Sequence, residues 1–325
     1  MTDPIAQAAL VDRPAARPGT DAAGGTGGHG GADTEPGAPA QARDPWHTTV
    51  RRFMRSQPLG AVSVVVILGF VGTALLAPLI APYDPITQHR DYILGAPTGE
   101  YLLGTDDLGR DVLSRTIHGA RTSLLIGLAT TAISVSIGTL LGILSGYLGR
   151  GTDMVVQRIA DAIQAIPPIV LLLFIAVLLG PSVRNTVIAL IVVTMPSFNR
   201  VARGETLRIR EEGYVEAARS TGSGPARIMR KHVLPNMLAP MFTMATLVFA
   251  SVIIAESALS FLGIGTPPPT PSWGRMISEG LRFVEQAPWL VVAPGVVLSL
   301  AVFGFNLLGD ALRDFLDPKL TSHRG

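Results

Sequence analysis

Four stretches of this chain, residues 59–81, 124–148, 162–183 and 286–309, each run for at least 22 residues without a charged side chain. At about 1.5 Å of rise per helical residue, each can cross a hydrocarbon core of about 30 Å, where only a helix or a closed barrel satisfies its own backbone. A fifth stretch, 233–264, is interrupted only by Glu256. A sixth, 185–199, is short for a span and is expected to be tilted, kinked at Pro196 or shielded by its neighbours. The chain is 48% hydrophobic and only 15% charged, with a mean hydropathy of +0.40, and its apolar residues come in blocks. The expected fold is an all-α membrane protein, a polytopic bundle of six transmembrane helices within residues 46–320.

Residues 1–45 are dominated by Ala, Gly, Pro and Asp, with almost no large apolar side chain to offset the entropy of ordering them, and are expected to form a disordered tail. Residues 321–325 make a short C-terminal tail. A secretory signal would need a basic start and a short apolar run near the terminus, and neither is present, so the first apolar block is expected to remain as an anchor. Six spans put both termini on one side. With that side inside, inner segments between 51 and 325 carry 16 Lys and Arg against seven in the outer segments. Positive charge concentrates on the cytoplasmic face, which places both termini there. The formal net charge of +2 argues against nucleic acid, and the absence of cysteine excludes disulfides and thiolate metal ligands.

The polar segment 211–236, EEGYVEAARSTGSGPARIMRKHVLPN, then falls between spans on the inner side. GSGP breaks any helix through it. The acidic pair Glu211 and Glu212 suits the start of a first short helix over about 211–221, with Val215 and Ala218 on one face and Gly222 ending it. Pro225 suits the first turn of a second short helix running to Pro235. Two short helices at an angle would project as a knob; the alternative is a solvated loop whose amphipathic helices lie on the lipid surface.

EAARSTG, followed by nine residues and HVLP, resembles the EAA motif of permease subunits of ATP-binding-cassette (ABC) importers. Glu216, Ala217, Ala218, Gly222, Leu234 and Pro235 fall in register, and His232 stands where Ile is usual, a departure shared with the dipeptide and oligopeptide branch. LGTDDLGRDVLSR (103–115), SALSFLGIGTPPPTPSWGRM (257–276) and FNLLGDALRDFLDPKL (305–320) also resemble the second permease of dipeptide, oligopeptide and nickel importers, so the likeness covers about residues 50–320. It implies a coupling segment for an ATPase that includes Tyr214, Glu216, Ala217, Ala218, Gly222, Pro225, His232, Leu234 and Pro235. It further implies a heterodimer with a homologous permease, two ABC ATPase subunits carrying ATP and magnesium, an extracytoplasmic solute-binding protein and a bacterial cytoplasmic membrane. Peptide is the implied cargo, with nickel or another small solute as the alternative.

The chain itself is expected to bind no cofactor. A P-loop needs Lys followed by Ser or Thr, whereas Lys231 and Lys319, the only lysines, precede His and Leu. No HExxH or GxSxG occurs, so no enzyme and no metal site is expected. Glu256, an ionisable residue in an apolar run, is either a gate or pathway residue or a carboxylate reaching interfacial water or an arginine; Asp161 and Gln164 pose the same question more weakly. Outside, Asp111 and Arg115 have helical i,i+4 spacing for an ion pair, and Asp106 and Asp107 lack calcium-loop spacing. Trp273, Met276, Ile277, Leu281 and Val284 suit one face of a short interfacial helix. The resemblance makes Trp273, Arg275 and Met276 a candidate dock for a binding protein, with membrane anchoring as the alternative. Arg313 and Asp317 are again spaced for a pair, before Pro318. Gly and Pro recur within spans, as in IGTLLGILSGYLG and AIPPIVLL, which suits close packing or a moving, pore-lining bundle. A secondary transporter or channel without a motor would show internal repeats and mid-membrane charges, and neither is evident.

Overall fold

The computed structural model describes residue 51 and residues 53–316. The expected tails at 1–45 and 321–325, and the Arg313–Asp317 pair with Pro318, lie outside the described residues or depend on them. Ten α-helices are labelled here in chain order: α1 Pro58–Ile80, α2 Val112–Leu148, α3 Arg150–Gln164, α4 Pro168–Leu179, α5 Val183–Arg210, α6 Gly213–Ser220, α7 Pro225–Ile228, α8 Leu234–Phe261, α9 Trp273–Gly280 and α10 Trp289–Leu316. No β-strand occurs among the described residues; one isolated bridge pairs Thr105 with Asp111.

Five helical segments are long and apolar enough to cross a membrane: α1, α2, α5, the continuous run Pro225–Phe261, and α10. The third expected span is not a single helix. The expected span at 162–183 is broken, with α3 and α4 meeting at 89°. Pro167 and Pro168 explain the break: Pro168 has no N–H for the carbonyl of Gln164, and its ring collides with the preceding turn. At 12 residues, α4 is about 18 Å long and cannot span alone. Counting uncharged residues finds the apolar stretch and misses the elbow, because hydropathy carries no backbone information.

The expected sixth stretch, 185–199, needs the opposite correction. It is the first half of α5, whose 28 residues continue through Pro196 to Arg210. Charge does not end the helix, because Arg200 and Arg203 find Asp161 and Asp153 on α3. The second span also begins earlier than its uncharged block, at Val112.

The centre of the bundle is the contact of α2 and α5, which run parallel: Gly138, Gly142 and Gly146 meet Phe198, Ala202 and Thr206 in turn. Gly138, Gly142 and Gly146 lie along one stripe of α2, and a Cβ on Gly142 would stand 2.5 Å from the Cβ of Ala202 and 2.7 Å from the carbonyl oxygen of Asn199. The small residues thus let two backbones touch, which is the close-packing reading of IGTLLGILSGYLG. α8 crosses on the other side, where Phe249 and Ile253 pack on Leu124 and Gly127. α1 and α10 lie alongside, joined at Gly304 by Val66 and Ile67 of α1. Leu68, Leu75 and Leu79 of α1 are exposed, as a lipid-facing helix requires.

At the end of α2 away from the polar segment 211–236, Asp111 does not pair with Arg115 as its spacing suggested. Its carboxylate caps α2 by accepting from the Ser114 N–H at 2.7 Å. Arg115, fully buried, reaches Asp106 and Glu279 instead, each at 3.3 Å. Arg110 and Arg275 complete a network with Asp106, Asp107 and Glu279, which ties the segment before α2 to α9. Burial, then the neighbouring Asp106, pushes the Asp107 carboxyl above the usual range, with Arg110 opposing. No group of His, Asp and Glu suited to a metal occurs among the described residues.

Candidate functional site

The polar segment between α5 and α8 folds as one short helix and a bend. α6 spans Gly213–Ser220, two residues later than expected, because Glu212 is its N-cap and Glu211 lies beyond it. Glu211 and Glu212 face Arg210 and Arg208, at 3.2 and 3.1 Å. The helix stops at Gly222, where φ is +83°. There the Gly222 N–H bonds the Arg219 carbonyl and the Ser223 N–H bonds the Ala218 carbonyl, both at 3.0 Å, which satisfies the last turn's acceptors. A side chain at Gly222 would meet nothing within 4 Å, so backbone conformation alone selects glycine.

Pro225 begins the second helix as expected, but that helix is not a free short piece. It runs through a π-turn at Met229–Val233 into α8, giving one helical segment, Pro225–Phe261. Pro235 explains the π-turn: it has no N–H for the carbonyl four residues back, and the Leu234 N–H reaches back to Met229 instead. Asn236 ties the turn to α6, donating its side-chain N–H to the His232 carbonyl at 2.7 Å and to the Tyr214 hydroxyl at 3.3 Å. The rings of Tyr214 and His232 lie 6.0 Å apart. Asn236 was missed in the sequence, where it reads as an ordinary polar residue after HVLP; its signal was its place one residue past a proline inside a helix.

The knob therefore has two faces. Val215 is fully buried in a cluster with Ile143 of α2, Phe198 and Ile209 of α5, Ile228, and Met237 of α8. Tyr214, Glu216, Ala217, Gly222, Pro225, Leu234 and Pro235 are exposed, while Ala218 and His232 are half-buried. The knob thus has a root packed under three long helices and an outer surface that is open.

The other candidate residues separate. Glu256 is completely buried and reaches neither surface water nor an arginine. Its carboxylate accepts from the hydroxyls of Ser260 at 2.7 Å, Ser123 at 3.3 Å and Thr266 at 3.4 Å, so it fastens α2, α8 and the following loop together. Trp273 and Met276 are buried too, and a docking or anchoring face needs them outside. Trp273 Nε1 donates to the Thr116 carbonyl at 3.1 Å, and its ring packs with Ala120 and Ala301. Arg275 is held by Glu279 and the Thr266 carbonyl. Asp161 pairs with Arg200 at 2.9 Å, and Gln164 lines a cavity of about 520 Å³ at the α3–α4 elbow. Arg200, counted in the sequence only as a loop cation, was missed because the apolar stretch ends one residue before it.

Fold and knob together define a class, the multi-pass helical membrane permease. The family model for the binding-protein-dependent transport system inner membrane component matches residues 138–322, and one for the N-terminal transmembrane domain of oligopeptide transport permease C matches residues 44–97. The chain belongs to this family of transport-system membrane components. The dipeptide transport system permease protein of Alkalihalophilus pseudofirmus is 40% identical over 281 residues, 86% of this chain and 92% of that protein. The di/tripeptide transport system permease protein of Pseudomonas aeruginosa is 44% identical over 268 residues, 81% of this chain and 88% of that protein. A chain from the MetNI methionine ABC transporter, solved in inward facing conformations, shares the fold at 21% identity and a TM-score of 0.51, covering 62% of this chain and 97% of its own.

Proposed function

We propose that this chain is the transmembrane permease subunit of an ABC importer for di- or oligopeptides. It pairs with a homologous permease to enclose the path, with both termini in the cytoplasm of a bacterial cell. Two ATPase subunits hold ATP and magnesium and grip the knob, and a solute-binding protein delivers cargo from outside. The chain carries no nucleotide site of its own. The observation that carries this reading is the two-sided knob, with Val215 locked beneath α2, α5 and α8 while Glu216, Ala217 and Gly222 face outward. The peptide transport named for its relatives supports the cargo. ATP binding and hydrolysis then bias inward-open and outward-open states through differential contacts at the knob.

The test is uptake by the purified assembly in proteoliposomes. Replacing Gly222 with Val or Glu216 with Lys is expected to uncouple ATP hydrolysis from peptide uptake while insertion stays normal. Full uptake in both variants, or peptide transport by this chain without any ATPase, would sink the reading; accumulation of nickel in place of peptide would change the cargo.

A further inference from the structure

Two ion pairs join α3 to α5, and they differ in kind. Arg203 grips Asp153 through two bonds of 2.6 Å, with both side chains a third exposed or less. Arg200 makes one bond of 2.9 Å to Asp161, and those side chains are 56% and 60% exposed. An exposed pair of this sort contributes about 0–1 kcal/mol, so it exchanges partners at little cost.

Its depth is informative. Arg200 lies past the middle of the 28-residue α5, two residues before Ala202, which packs on Gly142 within the uncharged block 124–148, six residues from the end of α2. Met244, which lines the same cavity, stands midway along the uncharged run 233–255 of α8. A half-exposed cation at that depth is costly against lipid and belongs against water or protein. The elbow requires the same surroundings, because Pro167 and Pro168 offer no N–H and broken backbone within a membrane persists only beside protein or a water-filled space. The cavity of about 520 Å³ lies at this elbow, lined by Gln164, Ser197 and Arg200 with Pro168, Leu171 and Met244. That volume falls in the ordinary range for small-molecule sites.

We propose that the elbow cavity is a station on the solute path, where Arg200 in its wall receives the terminal carboxylate of a short peptide and Asp161, beside the wall and bonded to Arg200, receives its terminal ammonium. The pair exchanges its own bond for two charge-assisted bonds to the passing zwitterion and re-forms when the peptide leaves. This rests on the reading of the chain as a peptide permease subunit.

The absence of cysteine makes a direct test available. In the assembled transporter, Ser197→Cys and Gln164→Cys are treated with a membrane-impermeant methanethiosulfonate, and modification of this chain is read by mass. Both are expected to react, and to be protected during dipeptide turnover, whereas Leu68→Cys on the exposed face of α1 stays unmodified. Equal behaviour of Ser197→Cys and Leu68→Cys overturns the proposal. Arg200→Gln and Asp161→Asn should each reduce peptide uptake about ten- to a hundredfold, as for loss of one charge-assisted bond. The exchanged double variant Arg200→Asp with Asp161→Arg should stay impaired; recovery there would make the pair only a tie between helices and overturn the inference. Normal uptake by Arg200→Gln beside uncoupling by Gly222→Val removes the cavity's role and leaves the coupling reading standing. No peptide uptake by the unaltered assembly removes both.

Discussion

A buried side chain in this protein is costly to change in proportion to what it leaves unsatisfied. Glu256→Leu strands the hydroxyls of Ser123, Ser260 and Thr266, each a partner of its carboxylate, at about 1–3 kcal/mol per buried group left unpaired. Glu256→Gln keeps an acceptor in place. Thermal unfolding in detergent should therefore fall clearly for Leu and much less for Gln. Gly142→Leu is expected to be worse, because its side chain must displace Ala202 and the Asn199 carbonyl from contacts under 3 Å. Overpacking typically costs about 1–3 kcal/mol, and here it wedges backbone from backbone, so loss of monodisperse protein on size exclusion is the expected result. Glycine spacing alone left packing and gating both open for this stripe; the contact with α5 decides for packing at these positions. Asp107 behaves in the opposite sense. Burial and Asp106 disfavour its charged form, so Asp107→Asn should leave thermal stability near neutral pH unchanged or slightly raised.

At the scale of elements, the junction of α6, the π-turn and α8 is where local chemistry becomes a mechanical part. Gly222→Val strains a left-handed position without any packing clash, at about 1–2 kcal/mol. Asn236→Ala removes the bonds to the His232 carbonyl and the Tyr214 hydroxyl, worth about 1 kcal/mol, so hydrogen exchange over residues 229–236 should quicken about fivefold while α2 is unaffected. Much of this element was legible: GSGP marked the bend, Gly222 the end of α6, and Pro225 the next start. The continuation of Pro225 into the membrane helix was not. A proline normally reads as a stop, and here Pro235 is absorbed by a π-turn that only packed neighbours hold. The same local rule read at Pro167 and Pro168 does produce a break, of 89°. One proline is absorbed where the helix shifts to π spacing and an amide side chain bonds the next carbonyl, that of His232; the pair at 167 and 168 breaks the helix.

For the whole molecule, the topology makes a prediction of its own. With the knob inside and the segment between α1 and α2 outside, Ser220→Cys should react with an impermeant reagent only from the cytoplasmic side, and Glu100→Cys only from the other. Reversed or two-sided labelling would overturn the orientation read from Lys and Arg asymmetry. The Arg110–Asp106–Arg115–Glu279–Arg275 network, Trp273 packed between α2 and α10, and the Glu256 hydroxyl cage lie at the end of the bundle away from the knob, where they brace α2, α8 and α10. The α3–α5 ion pairs and the knob lie toward the other end, where one pair is exposed and one helix is broken. The bundle is thus braced at one end and jointed at the end that carries the knob, which suits a part moved from there.

By itself the sequence determined the membrane class, the apolar stretches and the polar segment that forms the knob. These depend on composition along the chain and on local breakers, which act wherever the chain goes. Tertiary structure alone decided that α5 carries two arginines into ion pairs with α3, and that Trp273, Met276 and Glu256 face inward. Each of those outcomes depends on a partner far away in the chain: Asp153 and Asp161 for the arginines, Thr116 and Ala301 for the tryptophan, and Ser123 for the carboxylate. Burial and pairing are properties of two segments brought together, and neither segment's spacing records the other.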